Sequence, residues 1–156
     1  MPHIWYGDEV GMEGGKDPDC RRPMDWNYVN DPRKVALRDF YGTITRFRRD
    51  NQVLSRGDVL TVQAQGKALA MARRLDTKCA LSLFNAGPQP VTFTLGADDI
   101  AAMLPAGGSS VFKVIAGTEW FPNADRGQLI SGTTLELGEG DVTFTLPGMS
   151  GAMLVN

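Results

Sequence analysis

The sequence predicts a mainly β protein: an antiparallel Greek-key β-sandwich carried behind a helical arm. Three observations lead there. From about Gly57 onward the chain breaks into short segments of alternating polarity, divided by Gly and Pro turns at near-regular intervals. Between Asp31 and Arg49 the spacing of apolar residues switches to that of a helix, behind a clear start signal. Ahead of the helix, Asp8 to Asn30 is so rich in Gly, Pro and Asp that it reads as a long loop.

Taken in order, Met1 to Tyr6 ends on the apolar run Ile4-Trp5-Tyr6 and reads as a short strand, broken by Gly7-Asp8-Glu9. An apolar strand that stops at a Gly and enters a long polar loop is a common way to deliver residues to a site. After the loop, Asp31 is placed to cap a helix, and Pro32 suits its first position, where no N–H is needed. The helix is expected from Pro32 to Arg49. Leu37, Phe40, Tyr41, Ile44, Phe47 and Arg48 follow at helical spacing, with Arg33, Lys34, Arg38, Arg46 and Arg49 mostly off that face. Such an aromatic stripe is read as core packing rather than a ligand platform.

Asn51 to Asp58 is a connection in which Val53 and Leu54 tuck back and Gly57 marks the break. Strands are expected at Val59–Gln65, Ala68–Arg74, Cys79–Asn85, Pro90–Leu95, Val111–Ile115, Thr133–Leu137, Val142–Leu146 and Ala152–Val155. Ala97 to Met103 suits a single helical turn. No internal repeat is apparent. Trp120 and Phe121 invite a sugar-stacking reading, but one Trp beside one Phe makes no platform, and covering one end of the sandwich core is the use preferred.

Composition narrows the function. A formal net charge of -2 leaves no basic footprint for nucleic acid. The longest apolar runs fall well short of the ~18 residues of a membrane span. No charged segment followed by an apolar core marks a secretion signal, so a cytoplasmic location is expected. Cys20 and Cys79 allow one disulfide, with two unpaired thiols preferred. One histidine, His3, and scattered thiols make no metal cluster, and no cofactor is implied.

The loop holds the chemistry. Asp17 and Arg21 lie four apart, with Asp19, Arg22 and Asp25 around them. On spacing alone this is a solvated charged loop with internal salt bridges. A carboxylate and a guanidinium turned into one cleft would also clamp a sugar, one accepting from its hydroxyls and the other donating to them.

Two motifs go further: Tyr6-Gly7-Asp8-Glu9-Val10-Gly11-Met12 and Asp17-Pro18-Asp19-Cys20-Arg21-Arg22-Pro23-Met24. The stretch resembles the segment after the last barrel strand of the α-amylase clan of glycoside hydrolases, and most closely the neopullulanase, cyclomaltodextrinase and maltogenic amylase group. The resemblance implies two domains. Residues 1–56 would be the remnant of a catalytic (β/α)8 barrel, with its last strand, substrate loop and last helix. Residues 57–156 would be the C-terminal β-sandwich.

It also implies a parent enzyme that hydrolyses α-1,4 or α-1,6 glucosidic bonds in an α-glucan or maltooligosaccharide. Asp17 and Arg21 would bind substrate on the non-reducing side of the scissile bond, while Asp19, Arg22 and Asp25 brace the loop. Retaining hydrolysis needs an acid carboxyl and a nucleophilic carboxylate flanking that bond. Asp8 and Glu9 are not read as that pair, because adjacent carboxylates diverge. A barrel takes about 250 residues, and this chain has 156. The chain is therefore expected to carry no catalytic residue and to be inactive alone. Its expected partners are the remainder of the barrel and a second copy, through the exposed barrel-facing surface. The alternative is a stand-alone carbohydrate-binding or interaction β-sandwich module.

Overall fold

A computed structural model describes residues 3–117, 129, 131–138 and 140–156, and it divides the chain into two compact units, Met1–Arg46 and Phe47–Asn156. The Trp120-Phe121 pair lies outside the described residues.

The first unit has little regular structure before its helix. Residues 3–6, expected as a strand, form none, because no neighbouring strand offers them a hydrogen-bonded ladder. The long loop holds three short 3-10 turns, Asp8–Val10, Asp19–Arg21 and Trp26–Asn30. Helix α1 then runs over Pro32–Asp50, starting where the sequence predicts. Asp31 accepts the Arg33 N–H at 2.9 Å, and the same bond holds its carboxyl below the usual range. No residue of α1 is fully buried.

The second unit begins with Phe47 and, where the sequence predicts a connection, a short helix, α2 (Gln52–Arg56). Its Val53 and Leu54 are buried with Ala80, and Phe47, Met153 and Val155 pack beside them. Gly57 ends α2 where a Cβ would sit 2.4 Å from the Val53 carbonyl, so only glycine fits.

Among the described residues eight strands follow: β1 (Asp58–Gln65), β2 (Ala68–Leu75), β3 (Lys78–Asn85), β4 (Val91–Leu95), β5 (Val111–Ala116), β6 (Thr134–Glu136), β7 (Val142–Leu146) and β8 (Ser150–Val155). Helix α3 (Ala97–Met103) lies between β4 and β5, its Asp99 accepting the Gly96 N–H at 3.3 Å. Six strands form one antiparallel sheet, ordered β1-β2-β3-β8-β5-β6, and β4 pairs with β7 in a second. β8 returns from the far end of the unit to lie between β3 and β5, which is the Greek-key step.

Alternation builds the core. Ala70, Ala72, Leu81, Leu83, Phe112, Val114 and Leu154 of the large sheet share one buried cluster with Phe93, Leu95, Phe144 and Leu146 of the small one. Ile100 and Met103 of α3 join it. β4 and β7 are the same pentapeptide, Val-Thr-Phe-Thr-Leu, a repeat too short to stand out along the chain. Paired antiparallel, the two copies meet at Phe93 and Phe144, whose ring centroids lie 5.7 Å apart.

Candidate functional site

The loop of the first unit is held by its own charges. Asp8 accepts the Trp5 N–H at 3.0 Å and Glu9 accepts the Gly7 N–H at 2.9 Å, so both carboxylates serve the turn that opens the loop. Gly7 takes φ +95° there, a left-handed value suited to glycine.

The two arginines of Cys20-Arg21-Arg22 are used differently. Arg22 grips Asp19 through two bonds of 2.7 Å, from Nε to Oδ1 and from Nη2 to Oδ2. That fork holds the Asp19 carboxyl below its ordinary value, and Asp19 also accepts the Gly15 N–H at 2.8 Å. Arg21 pairs instead with Asp17, Nε to Oδ1 at 2.7 Å. These two side chains are 72% and 63% exposed, against 52% and 45% for Arg22 and Asp19. The Cys20 thiol lies 3.8 Å from the same Asp17 oxygen, and the Asp17–Pro18 peptide is cis.

The structure thus brings Asp17 and Arg21 together, on the exposed side of the loop. Two shallow depressions flank it. One, of about 400 Å3, is lined by Met12, Glu13, Arg22, Asp25 and Lys34 among others. The other, of about 200 Å3, has Trp5, Tyr6, Asp19 and Arg22 in its wall. Asp17 and Arg21 line neither.

Several contributors have no signal in the sequence. The Tyr6 hydroxyl donates to the Arg22 carbonyl at 2.8 Å, joining the two ends of the loop. Lys34 on α1 binds Asp25 at 2.6 Å, which holds the Asp25 carboxyl down, and the Met12 sulfur accepts the Asp25 N–H at 3.3 Å. These partners stand 16, 9 and 13 residues apart, and no periodicity links them. Trp5 and Tyr6 are 54% and 44% exposed, with ring centroids 5.5 Å apart, leaving aromatic surface beside the charged cluster. Among the described residues no group of three or more His, Cys, Asp or Glu could hold a metal ion. No described helix is long and apolar enough to cross a membrane.

No protein-family model matches the sequence. Individual relatives do. The chain is 32% identical over its whole length to an amylopullulanase of Thermoanaerobacterium saccharolyticum, of which it spans 11%. It is 36% identical to a cyclomaltodextrinase of Thermoanaerobacter pseudethanolicus over 66% of the chain and 18% of that protein. Among solved structures, the Nostoc punctiforme debranching enzyme covers 98% of the chain at TM-score 0.69 and 27% identity, the chain spanning 27% of it. The Geobacillus thermoleovorans α-amylase, solved with acarbose, covers 96% at TM-score 0.71 and 20% identity, a likeness of fold. By sequence and by fold, this chain corresponds to the C-terminal segment of the α-amylase family of glycoside hydrolases, on the side of the amylopullulanases, cyclomaltodextrinases and neopullulanases.

Proposed function

We propose that the chain works as the C-terminal part of an α-glucan-acting glycoside hydrolase, in which Asp17 and Arg21 clamp the sugar on the non-reducing side of the bond cleaved. The observation that carries this reading is the exposed Asp17–Arg21 pair, held at 2.7 Å on a loop in which Asp8, Glu9, Asp19, Arg22 and Asp25 are committed to bracing it. A sugar approaching that edge meets a carboxylate that accepts from hydroxyls and a guanidinium that donates to them, already side by side. Exchanging a solvated ion pair for sugar contacts costs little, because exposed pairs contribute little to stability. The acid and nucleophilic carboxylates of retaining hydrolysis would come from the rest of the enzyme. Asp8 and Glu9 are occupied by backbone N–H groups.

The test is a titration of the isotopically labelled chain with maltotetraose, followed by NMR. Shifts should centre on residues 17–21, and Arg21→Ala should weaken them by about tenfold, the scale of one charged hydrogen bond. A titration that leaves residues 17–21 unmoved, or one unaffected by Arg21→Ala, would sink the reading.

A further inference from the structure

We propose that Arg22 is the positioning residue of the Asp17–Arg21 clamp, an inference that rests on the function proposed above. One side chain and one carbonyl of Arg22 tie together segments that are distant in sequence. Its Nε and Nη2 grip Asp19 at 2.7 Å each, and its Nη1 donates to the Glu13 carbonyl at 3.2 Å. Its own carbonyl accepts the Tyr6 hydroxyl at 2.8 Å. Through Asp19 the same network reaches the Gly15 N–H at 2.8 Å. The stretches of loop before and after the clamp are therefore tied at one residue, Glu13 and Asp19 by its guanidinium and Tyr6 by its carbonyl.

The clamp needs such a pin. Asp17 precedes the 3-10 turn Asp19–Arg21 and Arg21 ends it; the backbone of this turn holds itself by single bonds, Asp19 N–H to Lys16 at 2.8 Å and Arg21 N–H to Pro18 at 3.0 Å. A turn that short has no cooperative reserve, so its shape comes from side-chain ties. Arg21 cannot supply them, because its one ion pair is with Asp17 itself. The geometry also explains why this position carries Arg: a planar fork meets both carboxylate oxygens and leaves Nη1 for Glu13, whereas an ammonium is a single point of charge. Holding the clamp in its binding shape before the sugar arrives removes part of the ordering cost of binding.

The experiment compares the unmodified chain with Arg21→Ala, Arg22→Lys and Asp19→Asn in the maltotetraose titration, with Arg33→Lys as the control at a separate exposed pair. Two readouts are taken: the affinity, and the Arg21 Nε resonance, which reports its ion pair with Asp17. Arg22→Lys keeps the charge and should still weaken binding by about fivefold or more and move the Arg21 Nε signal toward a free guanidinium. Asp19→Asn should do the same, and Arg33→Lys neither. An unchanged spectrum for residues 32–46 of α1 checks that the first unit of each variant is folded, and Asp19→Asn carries the test if Arg22→Lys is not. Loss of binding in Arg21→Ala with both readouts unmoved in Arg22→Lys and Asp19→Asn overturns the positioning role alone. Binding unaffected by Arg21→Ala overturns the clamp, and the positioning role with it.

Discussion

Asn85, at the end of β3, holds two turns in place. It is 2% exposed, and its amide nitrogen donates to the carbonyls of Gln89 at 2.8 Å and Pro147 at 3.0 Å. Its oxygen accepts the Gly87 N–H at 2.9 Å. The two turns touch closely: a Cβ on Gly148 would lie 2.1 Å from the Pro88 carbonyl, so no side chain fits. Asn85→Ala leaves a half-buried N–H and two carbonyls without their partner, which should cost about 2–4 kcal/mol. Urea unfolding measures this, and a loss below about 0.5 kcal/mol, the scatter of a neutral surface change, would show that water replaces the amide. Cys79, by contrast, is a core residue whose burial pushes its thiol up to about 11, while Cys20 is exposed.

At the scale of elements, β4 and β7 show how one pentapeptide does two jobs. Phe93 and Leu95, like Phe144 and Leu146, point into the core, while Thr92 and Thr94 face Thr145 and Thr143 on the other side. The hydroxyls of Thr92 and Thr145 meet at 2.9 Å. The outer edge of β4 is covered by side chains of β1, Gln63 donating to the Thr94 carbonyl at 2.5 Å and Gln65 to the Thr92 carbonyl at 2.8 Å. Phe144→Ala empties the contact between the two sheets and should cost about 3–5 kcal/mol, whereas Thr143→Ala should stay within about 0.5 kcal/mol. Equal losses for the two, by urea unfolding, would show that the small sheet does not depend on its buried face.

For the whole molecule, stability is unevenly spread. β3 and β8 sit inside the large sheet, paired on both sides, and their Leu81, Leu83 and Leu154 are fully buried. Residues 3–31 have single 3-10 turns, exposed charge pairs and Val10 as a fully buried apolar side chain. Opening free energies follow buried contacts and protected hydrogen bonds. Hydrogen exchange on the dilute chain should therefore be slowest in β3 and β8 and fast through residues 3–31. Protection of residues 3–31 as strong as that of β3 would overturn this ranking.

Most of the second unit is legible along the chain. Period-two alternation marks β2, β3 and β7 because a strand must send alternate side chains to opposite faces, and Asp31-Pro32 marks α1 because cap and first-turn chemistry are local. The motif around Asp17 and Arg21 was legible as words, and the relatives match the group it pointed to. Other features needed the tertiary structure. Spacing allowed either arginine to pair with either aspartate, and only the folded turn assigns Arg21 to Asp17 and Arg22 to Asp19. The ties from Tyr6 to Arg22 and from Lys34 to Asp25 join groups that a linear pattern cannot relate. α2 was missed because five residues have too little period to read, and burial of Val53 and Leu54 makes the helix. The missing strand at residues 3–6 has the complementary cause. Its apolar run reads as a strand, but a strand is a property of pairing, and the partner has to be supplied by the fold.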